Sequence, residues 1–187
     1  MTHDVIVFLA ALGLVGQVAV FAFAVLLLLR VAGVAAPLEW VRATVWGYEL
    51  WLAFLVSAVA TLGSLYLSER AHFFPCELCW FQRIFMYPLA LTTLAAALAN
   101  DHRFARYLLP LPVVGAAFSG YHLLVENGVV EQAQGCRVSA PGGCTTKWID
   151  EFGYITIPTL ALTAFALAFA FLLLAAVDRD EPAAAQR

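Results

Sequence analysis

The sequence predicts an all-α integral membrane protein, and three observations carry that prediction. Apolar residues make up 63% of the 187 positions, while charged residues make up only 12%, about half the share in an average soluble domain. Mean hydropathy is +0.86. Five apolar stretches approach or exceed the roughly 20 residues a helix needs to cross a bilayer core. A soluble domain could not cover its surface with so few polar groups, and a disordered chain would be far less apolar. A net charge of −3 with ten basic residues leaves no footprint for nucleic acid.

The first stretch, Val5–Leu29, carries no charge. It lacks a basic leader region and exceeds the usual 7–15 residue apolar run of a signal peptide, so it reads as a retained span, with a removed leader as the alternative. Leu50–Leu67 carries no charge either, and Leu78–Ala99 carries one, Arg83. Tyr107–Val125 is uncharged but includes His122, and Phe152–Val177 is uncharged. Apolar residues surround each segment instead of forming one stripe, so lipid is the expected solvent. Period-two alternation is absent, which argues against a barrel. Trp40, Trp46, Trp51 and Trp148 read as an interfacial aromatic belt. The long segment 126–151 is turn-rich at its centre and reads as a mobile, solvent-facing arm. The tail 178–187 reads as disordered.

Segments 68–77 and 126–151 are separated by two spans, so they lie on one side whatever happens to the first span. Cys76, Cys79, Cys136 and Cys144 therefore share a compartment. The side formed by 30–49, 100–106 and 178–187 holds Arg30, Arg42, Arg103, Arg106, Arg179 and Arg187; the other holds Arg70, Arg137 and Lys147. Lys and Arg concentrate on the cytoplasmic side, which puts the cysteines outside the cytoplasm, where disulfide chemistry is favoured.

Pro75-Cys76-Glu77-Leu78-Cys79 runs directly into an apolar helix, with Pro75 suited to its first turn. Exposed N–H groups at a helix N-terminus stabilise an anion, so a Cys-x-x-Cys pair there has a lowered thiol pKa and exchanges disulfides readily. Arg83 follows Cys79 by four residues on the same face. A charge inside a span points to function by default, with an arginine snorkelling to the interface as the bland alternative.

Cys136 and Cys144 enclose a short loop rich in Gly, Pro and Ser. A disulfide there could be a staple or a shuttle passing electrons from a partner thiol to Cys76 and Cys79 by thiol–disulfide exchange. A zinc site on the four thiols fits poorly, because the spacing is not a zinc-ribbon pattern. Oxidising a dithiol yields two electrons, and the sequence has no haem or dinucleotide motif to take them. A quinone diffusing in the bilayer is the acceptor left. His122, one turn before the long loop, is expected near the depth of Arg83. Both could donate hydrogen bonds to a quinone, and His122 could help deliver protons.

The run Cys76-Glu77-Leu78-Cys79-Trp80-Phe81-Gln82-Arg83-Ile84-Phe85-Met86-Tyr87-Pro88, then Tyr121-His122, the Cys136/Cys144 loop and Phe152-Gly153-Tyr154-Ile155-Thr156-Ile157-Pro158 resemble the DsbB/BdbC disulfide bond formation proteins, closest to the BdbC-like branch. The resemblance covers about Leu50–Val177. It implies a four-helix membrane bundle over 47–177, preceded by an extra helix and connecting loop over 1–46 and followed by a cytoplasmic tail over 178–187. It implies a bacterial plasma-membrane enzyme that reoxidises an extracytoplasmic thioredoxin-like thiol oxidase, of the DsbA/BdbD kind, and reduces ubiquinone or menaquinone. Cys76 and Cys79 would be the quinone-proximal pair, Arg83 and His122 the quinone contacts, and Cys136 and Cys144 the pair that meets the partner. The chain departs from the family in its extra first span, in Gln82 where many members carry Glu, and in a loop without an amphipathic helix. The competing readings are a vitamin K epoxide reductase-like quinone reductase, whose loop pair precedes the active pair in sequence, and a membrane metal-binding protein using four thiolates.

Overall fold

The computed structural model describes residues 2–139 and 141–177; the tail expected over 178–187 lies outside the described residues. Helix dominates the fold, with no strand among the described residues. The helices are α1 (Thr2–Val31), α2 (Ala36–Val45), α3 (Glu49–Glu69), α4 (Glu77–Ala99), α5 (Ala105–Leu108), α6 (Pro110–Glu126), α7 (Gln134–Ser139) and α8 (Ile157–Val177). Among the described residues, five segments are long and apolar enough to cross a membrane: α1, α3, α4, the stretch His102–Glu126 that ends in α6, and α8. This is an all-α, multi-pass membrane protein.

Helices α3, α4, α6 and α8 pack as a ring, each against two neighbours. Leu50, Leu89, Phe165 and Leu172 fill its centre and are almost wholly buried. Small residues let the helices approach: a Cβ on Gly115 of α6 would collide with the Phe165 ring of α8. Phe118 of α6 stacks on Phe81 and Phe85 of α4, at 4.9 and 5.7 Å between centroids. Close backbone approach of this kind drives helix association where lipid removes the hydrophobic incentive.

The last helix starts later than the apolar run predicts. Phe152 and Gly153 adopt positive φ, 54° and 79°, and Glu151 bridges to Ile155, so residues 152–156 form a tight turn before α8 begins. Hydropathy registers an apolar turn and an apolar helix alike. Helix α1 lies outside the ring, against α8. Cβ atoms on Gly13 and Gly16 would meet Leu160 and Thr163 of α8, and Tyr154 Oη donates to Gln17 Oε1 at 2.9 Å.

Candidate redox site

Cys76 is the N-cap of α4, with extended backbone, and Glu77 is the first helical residue. Pro75 therefore precedes the cap instead of occupying the first turn. Cys79 falls in that first turn, and the two sulfurs lie 3.2 Å apart as free thiols. Cys136 and Cys144 are bonded to each other. All four cysteines lie at one end of the bundle, where Cys76, Cys136 and Cys144 share an apolar cluster with Leu78 and Val125.

Most described residues between 127 and 150 are exposed, as the composition suggests, but the disulfide itself is turned inward. Cys136 and Cys144 are 0% and 1% exposed. The Gln132 side chain accepts from Cys144 N at 3.1 Å, and the Cys144 carbonyl faces His122. Positive φ at Gly142 and Gly143 folds the loop back onto the bundle. Turn-rich composition favours tight turns, and here the turns serve packing.

His122 joins the two pairs. Its Nδ1 lies 3.1 Å from Gln82 Nε2. Its Nε2 lies 3.2 Å from the Cys144 carbonyl oxygen and 3.6 Å from Cys76 Sγ. A carbonyl only accepts, so Nε2 carries the proton and Nδ1 accepts from the Gln82 amide. The imidazole thus presents one N–H to both the loop and the Cys76 sulfur. Hydrogen bonding to Cys79 first, and then to His122, outweighs desolvation and holds the Cys76 thiol well below its ordinary range, at about 4. Because the pKa is lowered, the thiolate dominates above that value and is lost as pH falls through it. In the reduced protein, ultraviolet thiolate absorbance is expected to persist down to about pH 4. His122→Phe removes one donor and is expected to raise that midpoint by about one unit; a wild-type midpoint in the ordinary thiol range would contradict this geometry.

Arg83 is 9% exposed and does not snorkel. Its Nε donates to Ser64 Oγ at 2.9 Å and its Nη2 to the Ser64 carbonyl at 3.0 Å, and its guanidinium lies 5.1 Å from the Trp80 ring centroid. These bonds engage two of its five donors. Arg83, Cys79 and Gln82 line an apolar cavity of about 420 Å³, within the usual range for small-molecule sites. It extends along α3 from Ser68 to Leu52, about 24 Å at 1.5 Å per residue. His122 does not line it. His122 borders a smaller pocket with Cys76, Cys79, Glu126, Gly143 and Trp148.

Three of these groups were not visible as site residues. Trp148, read as belt, stacks on Phe73 at 5.3 Å and borders both spaces. Glu126, read as loop edge, is buried and accepts from Thr156 Oγ1 at 2.8 Å. Ser64, the anchor of Arg83, is one of several hydroxyls in α3, and nothing local marks it. Gln82 carried a usable signal, as a polar amide inside a span between Cys79 and Arg83. The Sγ atoms of Cys76 and Cys79 and a ring nitrogen of His122 lie within 4.8 Å of one another, but four thiolates cannot converge on one ion while Cys136 and Cys144 are bonded.

The family model for disulfide bond formation protein DsbB matches residues 48–176. The chain belongs to the DsbB family. It is 47% identical over 131 residues to a probable disulfide formation protein of Deinococcus radiodurans, covering 66% of this chain and 86% of that one. It is 42% identical to disulfide bond formation protein C of Bacillus subtilis, over 71% of this chain and 95% of the relative, and 45% identical to a probable disulfide formation protein C 1 of Bacillus anthracis, over 63% and 84%. No solved structure gives a significant match. Membership of the DsbB family makes this chain a membrane oxidoreductase of disulfide bond formation.

Proposed function

We propose that this chain reoxidises the dithiol of an extracytoplasmic thioredoxin-like thiol oxidase and passes the electrons to a membrane quinone, ubiquinone or menaquinone. The observation that carries the reading is the position of Cys79, which borders both the small pocket beside the loop disulfide and the long apolar cavity. Cys76 borders only the former.

A partner thiolate attacks the Cys136–Cys144 disulfide and forms a mixed disulfide, freeing one loop thiolate. The partner's second thiol displaces the loop sulfur, so the partner leaves oxidised and the loop holds two thiols. The loop dithiol then attacks the Cys76–Cys79 disulfide. The loop disulfide reforms, and Cys76 and Cys79 become thiols. The His122 Nε2–H stabilises the charge on Cys76 as that bond breaks, and the helix N-terminus contributes in the same sense.

The cavity residues fit a quinone. Arg83 has three uncommitted donors for a carbonyl oxygen, and Ser64 keeps its guanidinium in place. Cys79 and Arg83 would hold the ring, with apolar side chains around it. A bound quinone would supply an acceptor for two electrons and two protons, which returns Cys76 and Cys79 to the disulfide. The arginine distribution supports an orientation with the cysteine end outside the cytoplasm of a bacterial plasma membrane.

The test mixes purified protein with a reduced thioredoxin-like partner and follows quinone absorbance. Stoichiometric loss of oxidised quinone is expected. No reduction by wild type, with a partner whose own dithiol is competent, would sink the proposal.

A further inference from the structure

The first helix lies outside residues 48–176, the part matched to the family, and it has little packing to justify it. Only 6% of its most apolar window is buried. What it does touch is specific. Gly13 and Gly16 seat it against Leu160 and Thr163 of α8, and Leu9 approaches Gly63 of α3 at 3.3 Å from an ideal Cβ. The helix therefore bridges α8 and α3, across the groove between them. That groove is the cavity that holds Cys79 and Arg83, and Leu9, Leu12, Val15 and Ala19 of α1 line it.

Most polar groups of the cavity gather at one end, at Ser64, Ser68, Cys79, Gln82 and Arg83. The remainder runs along α3 to Leu52 and along α8 to Phe171, lined mainly by apolar side chains, with Tyr87 and Thr163 among them. At about 24 Å, it is several times longer than a single ring requires. A tail that leaves lipid gains no hydrophobic transfer energy, so its grip comes from close packing against the walls of an enclosed groove.

We propose that α1 roofs the acceptor cavity, so that the groove between α3 and α8 grips the apolar tail of a long-tailed quinone and selects it over tailless rings. This rests on the quinone reading above. The roof is one helix thick: Val18 and Phe21 on its far side are exposed and face the lipid. Tail recognition thereby belongs to a segment separate from the residues that carry the redox chemistry.

The test is equilibrium binding to the full-length protein in detergent, read by quenching of tryptophan fluorescence. Long-tailed menaquinone and ubiquinone are each compared with the same ring lacking its tail. Wild type is expected to bind a tailed quinone at least about tenfold more tightly than its tailless ring. Ala19→Phe and Leu12→Trp both project bulk into the cavity and are expected to weaken tailed binding about tenfold, leaving the tailless ring unchanged. Val18→Phe, on the lipid side, is expected to change neither. If neither cavity variant weakens the tailed quinone selectively, or if wild type shows no tail preference, the roof proposal is overturned while the quinone reading stands. If wild type binds no quinone with or without a tail, both fall.

Discussion

Cys79→Ser is expected to lower quinone reduction by at least about 10³-fold, the scale seen when an enzyme loses its reacting nucleophile. Cys79 is the only one of the four cysteines that lines the cavity containing Arg83, and serine cannot form the disulfide whose closure releases the electrons. The variant leaves the Cys76 thiol beside His122 and beside the cluster that includes Cys136 and Cys144. The Cys76 thiolate can then attack the Cys136–Cys144 disulfide and free one loop thiolate, and with no thiol at position 79 to resolve the product, a disulfide between Cys76 and a loop cysteine is expected to accumulate. Quinone absorbance checks the first outcome, and mass spectrometry of non-reduced peptides checks the second. Turnover within tenfold of wild type would refute the electron path through Cys79.

The paired substitution Cys136→Ser and Cys144→Ser is expected to abolish turnover driven by the thioredoxin-like partner, again by at least about 10³-fold. Quinone reduction driven by a small dithiol such as dithiothreitol is expected to survive within about threefold, because exchange depends on access to the sulfur attacked. A small reductant can enter at Cys79, the one sulfur of the four that is not buried; the proposed folded partner acts on the loop pair. Serine preserves the backbone carbonyl at position 144 that holds His122, so the helix pair keeps its setting. If the partner still drives turnover, the loop pair is a staple. If dithiothreitol also fails, the loop pair is needed for more than relay.

Burial of the loop pair adds a requirement to that relay. With Cys136 and Cys144 almost fully covered, a partner thiolate gains its line of attack only by displacing part of the loop. Contacts that this movement would break include the bond that Cys144 N donates to the Gln132 side chain, the His122 contact and apolar packing.

Much of the architecture was legible because it depends on local runs of residues. Span number follows from the length of apolar stretches, and each of the five expected spans has its helix. Cys76 and Cys79 at a helix N-terminus follow from Pro75 and the apolar run beyond. Counting spans between the cysteine segments put all four sulfurs at one end, with no distance needed. Boundaries failed where an apolar turn imitates an apolar helix, as at Phe152 and Gly153. Loop composition failed at Cys136 and Cys144, because glycines permit a tight turn without stating whether it faces water or protein.

The list of reactive groups, and the end of the molecule where they lie, follow from local sequence alone. Only the tertiary structure divided them between two spaces: His122 beside Cys76 and the loop, Arg83 beside Cys79 and the cavity. That division depends on contacts between residues far apart in the chain, Ser64 with Arg83, Gln82 with His122, and Leu9 with Gly63. In a bilayer, apolar side chains gain nothing by leaving lipid, so helix neighbours are chosen by close packing and by polar pairing across helices. Hydropathy measures neither.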